Sequence, residues 1–131
     1  MLVTAAILLL SRERAIIASA GHPPILFRRN ESVEPIEIFA PPLGTRLRWT
    51  VPRREMAIEP GDIFVLHTDG LYETTSESGE AYGLDRLANT IRVSDASSAE
   101  SLRDAIVRDV EQFRGKAEQT DDITIVVVGV R

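Results

Sequence analysis

A chain of 131 residues with a formal net charge of −5 at pH 7 and no cysteine excludes several classes at the outset. There is room for one modest domain and not two, and there is no disulfide framework, thiolate nucleophile or cysteine zinc site. The acidic balance argues against a general binder of nucleic-acid phosphates, which relies on clustered Lys and Arg, while 44% hydrophobic and 27% charged residues fit an ordinary globular protein, and the lack of cysteine fits a cytoplasmic one.

The opening MLVTAAILLL is too short to span a bilayer. Arg12, Glu13 and Arg14 follow at once and no basic stretch precedes it, which disfavours a secretion signal despite the small residues Ala18-Ser19-Ala20. It reads as a buried strand over residues 2–10, joined by the polar turn SRER to a second strand over 14–20. A Gly-Pro loop leads to a short strand, Ile25 to Arg28, and a turn leads to another near Ile36 to Phe39. APPLG is a rigid loop. One or two short strands follow in RLRWTVPRREMAIEPGD, with Pro52 limiting the first to an edge or an end.

Pro60-Gly61 marks a tight turn. Ile63 to Leu66 is a continuous apolar run, the pattern of a strand buried on both faces. Leu84, Leu87, Ala88 and Ile91 then recur at helical spacing, predicting a helix over 84–92. A longer helix is predicted over 98–114, with Ser97 and Glu100 at capping-box spacing and Leu102, Ile106, Val110 and Phe113 as its apolar stripe. Val107 lies beside that stripe and Gly115 suits its stop. The β-branched run ITIVVVGV, residues 123–130, reads as a central strand. Several strands, two helices and a final strand predict one α+β domain over residues 1–131, with helices packed on antiparallel sheets.

Acids stand at the ends of two apolar strands. Asp69 follows the exit of the strand at 63–67, and Asp121 and Asp122 precede the entry of the strand at 123–130. If those strands pair antiparallel, Asp69 and Asp121 converge at one sheet edge. Two close carboxylates need a proton, a basic side chain or a cation between them. Carboxylate oxygen suits Mg²⁺, Mn²⁺ or Ca²⁺, and with no Cys and no suitable His pair zinc is disfavoured. Spacing alone leaves the plainer reading open: Asp-Gly is a common turn dipeptide, and an Asp at a strand end caps local amides.

Other motifs fail. Residues 69–80 have the length of a calcium loop but lack an acid at the third position and Gly at the sixth. No GxGxxG or GxxxxGK[ST] occurs, and no nucleophile elbow links Ser, His and Asp. His22, between Gly21 and Pro23, is read as a loop hydrogen-bonding residue, Trp49 as packing, and Glu77, Glu80 and Asp85 as a solvated loop and helix start.

Four stretches in order, ASAGHPPILFRR, PPLG, IEPGDIFVLHTDGLYETTSESGEAYGLDRL and QTDDITIVVV, resemble the C-terminal part of a SpoIIE-like serine/threonine phosphatase, a bacterial branch of the PPM (type 2C) phosphatases. The resemblance covers essentially residues 1–131. It implies a β-sandwich of antiparallel sheets flanked by helices. It also implies two Mn²⁺ or Mg²⁺ ions at one end of the sandwich, which hold a water and direct it at phosphoserine or phosphothreonine of a regulatory protein. No phosphoenzyme is implied, and no side chain of this chain is assigned a direct catalytic role. By this resemblance Asp69 is a ligand to one ion and Asp121 to the other. Asp122 supports them, and Gly70 permits the turn.

The family's remaining motif, a Gly-Asp-x-x-Gly-His-Gly strand end whose Asp bridges the ions, does not occur in these 131 residues. The expectation is therefore a partial domain lacking N-terminal strands and a helix, with weak metal binding and little activity as this chain alone. The alternative expectation is a non-catalytic interaction module, or pseudophosphatase fragment, that pairs or self-associates through exposed sheet edges.

Overall fold

Alternating side chains on the strands give this chain two separate cores, one between two sheets and one beneath helices. The computed structural model describes residues 1–46 and 48–131. Along the chain come β1 (Ala5–Leu10), β2 (Arg14–Ala20), β3 (Ile25–Arg29), β4 (Ser32–Ile36), β5 (Arg53–Ala57), β6 (Ile63–His67), α1 (Asp69–Tyr72), α2 (Leu84–Val93), α3 (Ala99–Arg114) and β7 (Ile125–Gly129). One sheet has the order β1-β2-β5 and the other β4-β3-β6-β7. Every pairing in both is antiparallel. This is the expected α+β arrangement, a partial sandwich flanked by helices.

β6 shows how one strand joins the two cores. Phe64 points between the sheets, where it meets Phe27 with ring centroids 5.0 Å apart and packs with Ile17, Ile25 and Ile36. Ile63 and Val65 point the other way, into a layer with Leu87, Ile91, Leu102, Ile106 and Val110 of the helices. The predicted helical stripes are therefore the buried ones. Each fully buried Leu or Ile contributes roughly 1.5–3 kcal/mol. Among the described residues no helix is long and apolar enough to cross a membrane.

Several elements differ from expectation. The opening strand is an edge, not buried: Ala6 and Leu8 face the inter-sheet core, while Ile7 and Leu9 are 63% and 60% exposed. The strand expected near Ile36–Phe39 lies earlier, over β4. A two-residue turn at Asn30-Glu31 sets that register, pairing Arg29 with Ser32 and Ile25 with Ile36. Asn30 has φ 55°, a conformation Asn tolerates. Pro35 fits there because β4 is an edge. β7 is an edge strand as well, rather than central. The α3 cap is Ser98 with Ser101, not Ser97 with Glu100. Ser97 instead donates its hydroxyl to Asp95, 2.8 Å away. Gly115 closes α3 with φ 59°, as expected.

The four edges are not alike. β4 carries Glu34 and Pro35, and β5 carries Arg53, Arg54 and Glu55. These two meet on one side, where Arg54 lies 3.9 Å from Glu34. β1 (AAILLL) and β7 (IVVVG) carry no charge, so they lack the usual protection of an edge strand.

Candidate metal site at the end of β6 and β7

The register of β6 on β7 places His67 opposite Ile125. The exit of β6 and the entry of β7 therefore share one end of the sheet, as the antiparallel expectation requires. Thr68 clasps the two chains beyond the last ladder pair. Its amide donates to the Thr124 carbonyl (3.1 Å), its hydroxyl donates to the Asp122 carbonyl (3.3 Å), and the Thr124 amide donates back to that hydroxyl (2.9 Å). The sequence reading assigned Thr68 no role. A β-branched hydroxyl residue at a strand exit is the signal that could have found it.

Asp69 then begins the single turn α1, not a simple Asp-Gly turn. The helical hydrogen bond from the Glu73 amide to the Asp69 carbonyl is 3.0 Å. Gly70 turns against the facing strand. A Cβ there would clash with the Asp122 carbonyl oxygen and lie 3.3 Å from the Asp121 Cβ. The two predicted ligand residues are thus brought to one place. A buried bond from the Thr74 hydroxyl to the Gly70 carbonyl (2.8 Å) fixes α1 from below.

Each acid uses one oxygen locally. Asp69 Oδ1 accepts from the Gly70 amide at 3.0 Å, and Asp121 Oδ1 accepts from the Asp122 amide at 2.7 Å. So the amide-capping role and ligand availability coexist. The second oxygen of each makes no hydrogen bond among the described residues, and both side chains are exposed. Asp122 is also exposed and contributes its carbonyl to Thr68. Gln119 steadies the segment, its side-chain amide donating to the Asp121 carbonyl at 2.9 Å. Glu77, expected only in a solvated loop, accepts from the Lys116 amide at 2.8 Å and ties the loop before α2 to the end of α3.

These oxygens fit a hard divalent cation in kind but not in number. Among the described residues no three His, Cys, Asp or Glu side chains converge as a metal cluster. Two carboxylates leave most of the coordination to water.

Two histidines lie nearby with different roles. His22 hydrogen-bonds through Nδ1 to the Pro23 carbonyl at 2.9 Å, as a loop residue. His67 is buried beneath Tyr72, edge to face at 5.7 Å. Burial pushes its pKa below the ordinary value. Nδ1 donates to the Thr68 carbonyl at 3.3 Å, and among the described residues Nε2 has no hydrogen-bond partner.

Asp62, just before β6, is a residue to which the sequence alone gives no role. It is 2% exposed and receives two hydrogen bonds from Arg29, at 2.8 and 2.6 Å, and one from the Glu59 amide at 2.8 Å. Burial opposes its charge. The Arg29 hydrogen bonds, the Glu59 amide and the Arg29 charge outweigh burial and hold the pKa below the ordinary range.

Solved structures share this architecture. The SiaA-PP2C domain of Pseudomonas aeruginosa superposes with TM-score 0.80 at 24% identity, covering 90% of this chain and 47% of that one. The phosphatase domain of SpoIIE from Bacillus subtilis superposes with TM-score 0.76 at 16% identity, covering 97% of this chain and 56% of that one. Among curated relatives, Protein IcfG of Synechocystis is 27% identical over 111 residues, 84% of this chain and 17% of that protein. Rat protein phosphatase 1J is 35% identical over 78 residues. The chain spans about half the length of these solved chains and about a sixth of the curated proteins. The family profile described as Stage II sporulation protein E (SpoIIE) matches residues 1–131. With its sheets and helices in the arrangement of PP2C-type phosphatase domains, and matched by the family profile over its whole length, the chain belongs to the SpoIIE family.

Proposed function

We propose that this chain serves in metal-dependent dephosphorylation of phosphoserine or phosphothreonine on a regulatory protein, with Asp69 and Asp121 as carboxylate ligands. The observation that carries the reading is the meeting of the β6 exit and the β7 entry, clasped by Thr68, with one oxygen of each acid making no hydrogen bond among the described residues. A bound Mn²⁺ or Mg²⁺ supplies Lewis-acid stabilisation of phosphate oxygen and lowers the pKa of a coordinated water. Gly70 lets the two acids approach, while Thr68 and Gln119 hold their backbones. Two carboxylates predict weak binding and little turnover by these 131 residues alone. The test is calorimetry with Mn²⁺ together with phosphopeptide hydrolysis, comparing the chain with Asp69→Asn. Absence of heat at millimolar Mn²⁺ overturns the ligand assignment. Hydrolysis unchanged by Asp69→Asn overturns its part in the reaction.

A second reading, an interaction module, is favoured by the uncharged edges β1 and β7 and by the exposed Ile7 and Leu9. Such edges recruit a strand from a second copy or another chain. A monomer in light scattering with no signal from an apolar-surface dye argues against it.

A further inference from the structure

The loop between β4 and β5 stands at the same end of the sandwich as the paired acids. β3 begins there, because it runs antiparallel to β6. Ile36 of β4 pairs with Ile25 at the start of β3. β2 ends there, being joined to β3 by Gly21 to Pro24, and β5 starts there with Arg53 opposite Ala18. The loop therefore leaves and returns at the end that carries Asp69 and Asp121. Its first half is anchored. The Gly21 amide donates to the Ala40 carbonyl (2.8 Å), and Val3 and Leu43 exchange backbone bonds of 3.0 and 2.8 Å.

This loop displays what protein interfaces select. Phe39 is 87% exposed, and Leu43 and Val51 of the same loop are exposed too. Arg46, Arg48 and Arg53 are exposed and make no ion pair among the described residues. Glu37 is the lone acid of residues 37–53. The nearby acids Glu34 and Glu55 already face Arg54 and Arg14. Basic character here runs against a chain whose net charge is −5. Exposed aromatic and arginine side chains are the residues that anchor protein partners, and like-signed arginines choose partners of opposite charge.

We propose that residues 37–46 and 48–53 form a docking surface for an acidic protein surface surrounding the phosphorylated residue. The identity of the partner rests on the phosphatase reading, while the charge preference rests on the loop itself. Phe39 supplies an apolar anchor, and Arg46, Arg48 and Arg53 select Asp and Glu next to the phosphate.

The test is fluorescence anisotropy of labelled phosphoserine peptides with the 131-residue chain, without metal. Peptides with acidic and basic flanks are compared, along with single-stranded oligothymidine. The acidic peptide is expected to bind at least tenfold tighter than the basic one, and its affinity to fall with added salt. Phe39→Ser, and separately Arg46→Glu with Arg48→Glu, are expected to weaken it at least tenfold. Arg46→Gln with Arg48→Gln, checked by circular dichroism for folding, should give a smaller loss in the same direction. Indifference to flank charge, retention of binding by the variants, or equal binding of oligothymidine overturns the proposal. Mn²⁺-dependent hydrolysis is read separately. Docking without hydrolysis upholds the surface and counts against activity, whereas hydrolysis unaffected by the variants counts against the surface.

Discussion

Gly70 lies directly against the Asp122 carbonyl: a Cβ at position 70 would clash with the oxygen of Asp122 and come within 3.3 Å of the Asp121 Cβ. The close approach needs a residue without a Cβ. Gly70→Ala must push the β6 exit away from the β7 entry. The expected cost is about 1–3 kcal/mol, typical of overpacking against fixed backbone. Urea denaturation measures it, and stability equal to the parent would show that the facing strands yield without cost.

The same juxtaposition predicts a linked effect on metal binding. A cation that binds the folded chain raises its melting temperature by mass action. Asp69→Asn and Asp121→Asn are each expected to remove most of the rise produced by 10-fold excess Mn²⁺ over the parent's Kd, roughly 1.4 kcal/mol of linkage. Asp85→Asn, in the first turn of α2, serves as the exposed-acid control and should leave that rise intact. Scanning calorimetry at matched metal concentrations decides it.

Asp62 predicts an acid-side dependence of stability. Its pKa in the folded chain lies below the ordinary 3.8. Its stabilisation is thus complete above that ordinary value and fades as pH falls through it toward the lower folded value. Asp62→Ala leaves the Arg29 guanidinium, 34% exposed, without its carboxylate. The expected cost at neutral pH is about 3 kcal/mol, the low end for breaking a buried pair because Arg29 can reach water. Asp62→Asn should flatten the acid limb of the stability profile, and a denaturation series between neutral pH and about pH 3 checks the slope.

A polar clasp joins the two long helices. Asp109 of α3 accepts from the Tyr82 hydroxyl at 2.5 Å, from the Thr90 hydroxyl at 3.0 Å, and from Arg86 twice at 3.2 Å. Arg86 also stacks over Phe113, 4.6 Å from its ring centroid. Burial first, and then the Asp109 carboxylate, push the Tyr82 phenol up to about 12. Tyr82 therefore stabilises the fold below its ordinary value of 10.0 and ceases to do so as pH rises through 12. Asp109→Ala is expected to cost about 2 kcal/mol and Tyr82→Phe about 1 kcal/mol. Both tyrosines are raised, and spectrophotometric titration should show Tyr82 ionising after Tyr72 in the parent and earlier in Asp109→Ala.

The legible parts of this protein were those whose cause is local. Leu87 and Ile91, or Leu102, Ile106 and Val110, recur at helical spacing because a helix buries one face, and those are the buried residues. Ile63 to Leu66 reads as doubly buried because apolar side chains alternate between two covered faces. The meeting of Asp69 with Asp121 followed from strand direction once β6 and β7 were taken as neighbours.

By itself, the amino-acid sequence determined most of the strands and both long helices, their apolar faces, and which acids stand at strand ends, while it placed β4 too late and read α1 as a turn. Those properties depend on neighbours within a turn or a few residues. Only the tertiary structure decided that β1 and β7 are edges, since composition does not record what lies beside a strand. It likewise decided that Asp62 pairs with Arg29 across 33 residues and that Thr68 clasps Asp122 and Thr124 across 54 and 56. It brought the loop carrying Phe39 and Arg48 to the end that holds Asp69. These relationships arise from sheet register, which joins residues distant along the chain and leaves no local periodicity to read.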